Sequence, residues 1–112
     1  MKISILKKLP EEPISHNNHI LKKVMVRNGE IPGITQFSKA YFPPGQTAEG
    51  HTHKDMYEVF LTEKGSGIME LNGNKIPLEP GICITVEPYE VHEVTNTGKD
   101  ELIVLILGII KD

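Results

Sequence analysis

The chain has 112 residues, a formal net charge of −3, a single cysteine and no tryptophan. That is the length of one domain, spanning residues 1–112, large enough to fold without disulfide staples. The spread of its 12 basic residues forms no phosphate-neutralising stripe, and the few aromatics form no base-stacking platform, so nucleic acid is excluded as a partner.

The N-terminal segment, residues 1–34, opens Met1-Lys-Ile-Ser-Ile-Leu-Lys-Lys8. It has no apolar run of signal-peptide length, and a cytoplasmic location is expected. Lys2–Lys7 and Leu21–Val26 read as strands. Leu9–Ile20, with two prolines and the run His16-Asn-Asn-His19, reads as loop. The segment 35–110 is the expected barrel core. Here Pro and Gly punctuate short β-forming runs: Thr35–Phe42, Tyr57–Thr62, Gly67–Leu71, Lys75–Leu78, Ile82–Val86, Val91–Asn96 and Glu101–Ile110. Asn72-Gly73-Asn74 predicts a tight hairpin between the third and fourth of these. No stretch sustains a period near 3.6, so helices should be short or absent. The longest apolar run, Leu102–Ile110 broken by Gly108, is too short for a membrane helix. Many short strands with Gly/Pro turns predict an all-β sandwich or barrel.

Three of the five histidines fall in two stretches. His51 and His53 precede Glu58 in the run Gly45–Gly65, and His92 lies in the run Gly81–Asn96. Three imidazoles and a carboxylate are a donor set for one divalent transition metal, with Fe, Mn, Ni, Co and Zn all suited. The absence of thiolate argues against a structural zinc site. On a strand, His51 and His53 share a face. Glu58 stands at an odd offset from them, so a bulge or tight corner near Lys54-Asp55-Met56 must re-aim the chain. On the His92 strand, Val94 and Asn96 share its face.

The first run resembles the first cupin motif throughout: Gly45, five residues, His51-x-His53, four residues, Glu58, six residues, Gly65. The second resembles the second motif in part. Gly81, His92 and Asn96 fit, but the usual proline falls on Glu87 and the internal glycine on Tyr89, with Pro88 between. The resemblance covers Gly45–Asn96. It implies a small single-domain cupin, an antiparallel double-stranded β-helix or jelly-roll barrel, holding a metal in its mouth through His51, His53, Glu58 and His92. It also implies pairing into a homodimer. Leu102–Leu107, apolar on both faces, supports that independently, because both faces must be covered. The N-terminal segment is the other candidate cover.

Four protein ligands on an octahedral ion leave two positions open, as Lewis-acid and oxygen chemistry require. A metal-dependent enzyme acting on a small organic molecule is therefore expected, with a dioxygenase preferred. A non-catalytic module that binds or senses a small ligand is one alternative. A sugar isomerase, epimerase, decarboxylase or lyase is another, since the fold leaves the reaction open. No general base stands out. Thr52, Glu49, Asp55 and Glu93 are candidates to hold the imidazoles from behind. Phe60 and Thr62 share the parity of Glu58 and are candidates to line the cavity. Either Gln36, Ser38, Ala40 and Phe42 or the alternate set Phe37, Lys39 and Tyr41 faces inward. His16 and His19 read as an exposed polar loop rather than a second metal site.

Overall fold

The computed structural model describes residues 1–112. It contains ten strands and no α-helix: β1 (Glu12–Ile14), β2 (Asn17–Val26), β3 (Ile34–Phe42), β4 (Thr47–His51), β5 (Met56–Lys64), β6 (Gly67–Leu71), β7 (Asn74–Leu78), β8 (Cys83–Val86), β9 (His92–Thr95) and β10 (Leu102–Ile110). Every pairing is antiparallel. A six-stranded sheet, in the order β1-β2-β3-β10-β5-β8, faces a four-stranded sheet, β4-β9-β6-β7. No helix is long and apolar enough to cross a membrane. This is the jelly-roll barrel that the turn spacing and the motifs predict.

The core lies between the sheets. Ile20, Ala40, Phe42, Phe60, Val104 and Leu102 meet Met69, Leu78 and Val94 there. On β3 the inward set is Gln36, Ser38, Ala40 and Phe42, the last three buried. Burying a dozen apolar side chains in this way, at about 1.5–3 kcal/mol each, drives the closure. Asn96, at the end of β9, is buried with its amide fully used. Its Nδ2 donates to the Phe42 and Asp100 carbonyls (2.8 Å each), and its Oδ1 accepts from the Gly98 amide (2.9 Å). The bond to Phe42 ties the two sheets together at the end away from the metal-ligand candidates, and the other two fold the connection from β9 to β10.

The β6–β7 hairpin closes on a two-residue turn. Leu71 pairs with Asn74, and both Asn72 (φ 48°) and Gly73 (φ 84°) adopt the left-handed conformation that this turn requires.

Two expectations for the N-terminal segment need correction. Lys2–Lys7 is not a strand; it ends in a short 3-10 turn at Leu6–Lys8. Leu9–Ile20 is not simply loop, because β1 and the start of β2 lie within it. Pro13 is tolerated because β1 is an edge strand. Asn17-Asn18-His19 is polar yet extended, held in place by pairing rather than propensity: β2 continues through Ile20, which is fully buried in the core. The strand β4 has no counterpart among the expected elements.

Candidate metal centre

The four ligand candidates arrive from both sheets. His51 ends β4 and sits directly opposite His92 at the start of β9. Glu58 is on β5 of the facing sheet, and His53 lies in the crossing segment between β4 and β5. His51 and His53 therefore do not share a strand face as expected. The re-aiming corner is the whole passage 52–55, which carries the chain from one sheet to the other.

A second irregularity aims His51. Ala48 pairs with Val94 and His51 with His92, so β4 spends three residues where β9 spends two. The extra residue is a bulge at Glu49-Gly50. Without it, alternation would turn His51 away from the side that Ala48, Val94 and His92 share. Glu93 secures the bulge, its Oε2 accepting from the Gly50 amide at 3.1 Å.

One donor atom from each of His51, His53, Glu58 and His92 lies within 4.8 Å of the others. A shared ion with bonds of about 2.1 Å holds neighbouring donors about 3 Å apart and opposed donors about 4.2 Å apart. The set closes on an ion after movements of a few tenths of an ångström. Glu58 Oε1 is 3.1 Å from His92 Nε2 and 3.3 Å from His53 Nε2. Glu58 and His92 are 5% and 1% exposed, yet Glu58 Oε1 and His92 Nε2 have no hydrogen-bond partner. The two atoms are close but not aligned for a hydrogen bond. Orphaned buried polar atoms are costly, and two of them converging on one point fit a cation there.

The imidazoles are oriented from behind. His51 Nδ1 contacts the Glu49 carbonyl at 2.9 Å, and His92 Nδ1 contacts the Glu90 carbonyl at 3.4 Å. Each carbonyl lies two residues upstream and favours the tautomer with Nε2 free to ligate. Of the side chains expected to support the imidazoles, none bonds one: Glu93 holds the bulge instead, and Glu49 acts through its backbone carbonyl. Burial alone would raise the Glu58 carboxyl. Contact with His92, then the charges of His53 and His51, outweighs it and holds the carboxyl below the usual range.

The site opens into a cavity of about 510 Å³ between the sheets. Phe60, Phe42, Val94, Ile106, Ala40 and Met56 form apolar wall, and Phe60 stacks obliquely near His92 with ring centres 5.6 Å apart. Thr62 is buried but does not line it. The His16/His19 pair divides. His16, at φ 68° in the β1–β2 turn, reaches the cavity rim, whereas His19 lines a separate hollow beside Tyr41. Lys22 and Gln36 also line the cavity. Sequence reasoning passed over Lys22. The available signal was its parity with Ile20 and Val24, which places a lysine on the apolar face of its strand.

A double-sheet barrel with three histidines and a glutamate gathered at one cavity defines the class. The family model described as "Cupin domain" matches residues 39–108, and the chain belongs to that family. Among curated relatives it is similar to an oxalate-binding protein of Thermotoga maritima, 29% identical over 85 residues, covering 75% of this chain and 66% of that one. It is also similar to a glucose-6-phosphate isomerase of Pyrococcus abyssi, 32% identical over 111 residues, covering 87% and 59%. The chain thus spans about three-fifths to two-thirds of these relatives. Among solved structures, a predicted oxalate decarboxylase from Thermotoga maritima superposes with a TM-score of 0.91 at 21% identity, covering 98% of this chain and 100% of that one. KdgF from Halomonas sp. superposes at 0.82 and 18% identity, covering 100% and 96%. Likeness at these identities concerns the fold.

Proposed function

We propose that this chain holds one divalent transition metal through His51, His53, Glu58 and His92, and acts on a small organic acid bound in the adjoining cavity. The observation that carries the reading is the convergence of the buried, unpartnered Glu58 Oε1 and His92 Nε2 with two further imidazoles. When bound, the metal would polarise oxygen ligands as a Lewis acid, and a redox-active ion would also support oxygen chemistry. The chain's own groups do the rest. Glu58 supplies the one negative charge of the ligand set. The Glu49 and Glu90 carbonyls hold two imidazoles in the ligating tautomer. Phe60, Val94 and Ile106 keep bulk water from the floor of the cavity.

The ligand class has support from the names of the curated relatives, an oxalate-binding protein and glucose-6-phosphate isomerases, whose ligands are oxygen-rich anions. Those names weigh toward redox-neutral handling of the ligand. The dioxygenase expected from the sequence is the competing reaction on the same site. Elemental analysis of protein purified without added metal comes first, then calorimetric titration with oxalate, then oxygen uptake and isomerisation assays. Substoichiometric metal together with no binding of oxalate or glucose 6-phosphate would refute the reading.

We also propose a homodimer formed through the outer face of the six-stranded sheet. There Val59, Leu61, Leu105 and Leu107 form an apolar stripe across β5 and β10, and Leu61 is 36% exposed. The N-terminal segment reaches β2, where Lys23 Nζ donates to the Leu6 carbonyl at 3.2 Å, yet the β5–β10 stripe stays partly exposed. Sedimentation of wild type against Leu61→Glu checks it; a monomeric wild type would rule it out.

A further inference from the structure

We propose that Lys22 and Gln36 form a second, anion-binding pole of the metal cavity, so that the preferred ligand is a small dianion with one end at the metal and the other at these two side chains. This rests on the metal reading above. Lys22 lies on β2 between Ile20 and Val24, which are 0% and 8% exposed, and alternation puts all three on the inner face. A lysine on a barrel's inner face is costly unless something matches its charge. No protein group bonds it, although the Glu12 carboxylate lies close enough to feel its charge. Lys22 makes no ion pair within 4.0 Å and no hydrogen bond, while its outward neighbour Lys23 bonds the Leu6 carbonyl and Lys39 pairs with Glu63 at 2.7 Å. Glu12, cross-strand to Lys22, is engaged by Arg27 at 2.6 Å instead.

Gln36 supplies a second donor. The Ser38 hydroxyl donates to Gln36 Oε1 at 2.7 Å, which leaves the Gln36 amide NH₂ without a protein partner. Sheet register then fixes its place relative to the metal site. Gly108 on β10 pairs with Gln36 on one side and with Glu58 on the other. Gln36 and Glu58 are therefore two strand spacings apart, about 10 Å, in one row of the sheet. The glycine between them has no side chain of its own, and the Thr35 hydroxyl and Met56 methyl lie over it; Gln36 and Glu58 nonetheless line the same cavity. Lys22 pairs with Ala40, four residues along β3 from Gln36, so the long lysine side chain must span that offset for the two to act together in the cavity they both line. The gap admits a short ligand: a metal bond of about 2 Å at one end and hydrogen bonds of about 3 Å at the other leave room for a few carbon atoms.

The distal group could be a carboxylate or a phosphate; both offer oxygens to an ammonium and an amide. The probes are two pairs with the same 2-hydroxy-acid head: malate against lactate, and 3-phosphoglycerate against glycerate. Calorimetric titration of metal-loaded wild type should show at least one dianion binding about tenfold tighter than its monoanionic partner. The tighter pair identifies the distal group. Lys22→Met should erase that preference, bind the monoanion as wild type does and keep full metal content. Gln36→Leu should reduce the preference partly. Lys22→Met should also melt no lower than wild type, since it replaces an unpaired inward cation with an apolar chain. If metal-loaded wild type binds dianion and monoanion equally, or binds none of the four, the second pole does not exist. The same holds if Lys22→Met retains the preference. A wild type that takes up no metal fails the earlier reading instead, so the two failures are distinguishable.

Discussion

At Tyr89 glycine should be more stable than alanine, reversing the usual order. The turn Glu87-Pro88-Tyr89-Glu90 closes with the Glu90 amide donating to the Glu87 carbonyl at 3.2 Å. Proline at its second position and a positive φ at its third describe a type II turn, which favours glycine there. Tyr89 sits at φ 69°, a left-handed conformation that costs a residue with a Cβ about 1–2 kcal/mol. The position matters because the Tyr89 amide donates to the His53 carbonyl at 2.7 Å, anchoring the segment that carries a metal-ligand candidate. The ring is 68% exposed, so some packing is lost in any truncation. Comparing Tyr89→Ala with Tyr89→Gly cancels that loss. What separates them is the strain relieved, about 1–2 kcal/mol, less the extra unfolded-state entropy of glycine, about 0.5–1 kcal/mol. Glycine should win by about 0.5–1 kcal/mol, or roughly 2–4 °C in Tm for a domain of this size. Urea and thermal unfolding in the presence of chelator read this without metal linkage. The same pair at Glu70, an exposed position within β6, should show alanine ahead by about 0.5–1 kcal/mol. If alanine is equal to or better than glycine at position 89, the left-handed strain assigned to Tyr89 is absent.

Other consequences can be checked alongside. His51→Ala and His92→Ala should both lose bound metal by elemental analysis while circular dichroism shows the same β structure, because the ten-residue apolar core contains neither histidine; metal content equal to wild type would defeat the ligand assignment. Metal at a hundredfold excess over its Kd should stabilise wild type by about 2.7 kcal/mol, near 10 °C in Tm, and should leave His92→Ala unmoved. Gly67→Ala should cost about 1–3 kcal/mol, since an added Cβ would lie 2.5 Å from the Thr95 carbonyl and 2.8 Å from Leu102 Cδ2; an unchanged urea midpoint would contradict that close approach. Arg27, hydrogen-bonded to Glu12, holds that carboxyl below its ordinary 4.5. A lowered folded-state pKa means the pair stabilises above the ordinary value and fades as pH falls through the lowered one. Arg27→Met should therefore flatten the stability profile below about pH 4.5, and only slightly, as befits an exposed, solvent-screened pair.

Where a segment buries an alternating face, its sequence announced its structure. Glu58, Phe60 and Thr62 on β5 are buried while Leu61 and Glu63 are exposed, and the pattern is readable. Asn72-Gly73 announced its hairpin through backbone chemistry alone. The strand β4 was not legible because it buries nothing fully: Thr47 and Ala48 are half-buried, and Glu49, Gly50 and His51 are exposed. Its extended state comes from pairing with β9, a partner more than forty residues away, and local propensity carries no trace of that. The same holds for Asn17-Asn18-His19, where Asn17 pairs with Ile14 of β1 and its amide donates to the Thr47 carbonyl, with Ile20 buried just beyond.

The ligand set was legible for a different reason, and its geometry was not. Donor chemistry is a property of residue types, so three imidazoles and a carboxylate identify themselves wherever they lie. Their convergence depends on where strict alternation fails. Periodic strands alone would direct His51 away from His92, and would set Glu58 on the opposite face from His53. The Glu49-Gly50 bulge corrects the first, and the crossing at 52–55 corrects the second by moving the chain to the other sheet. Both corrections sit in stretches with glycine or polar residues and no apolar pattern, which is why a period-based reading finds the need for them but not their form. The supports follow the same logic. Glu93, of opposite parity to His92, points away from the site yet decides where His51 points, because its carboxylate holds the Gly50 amide of the bulge. Aiming in this barrel is thus assigned to the irregular positions, while the regular strands supply the walls.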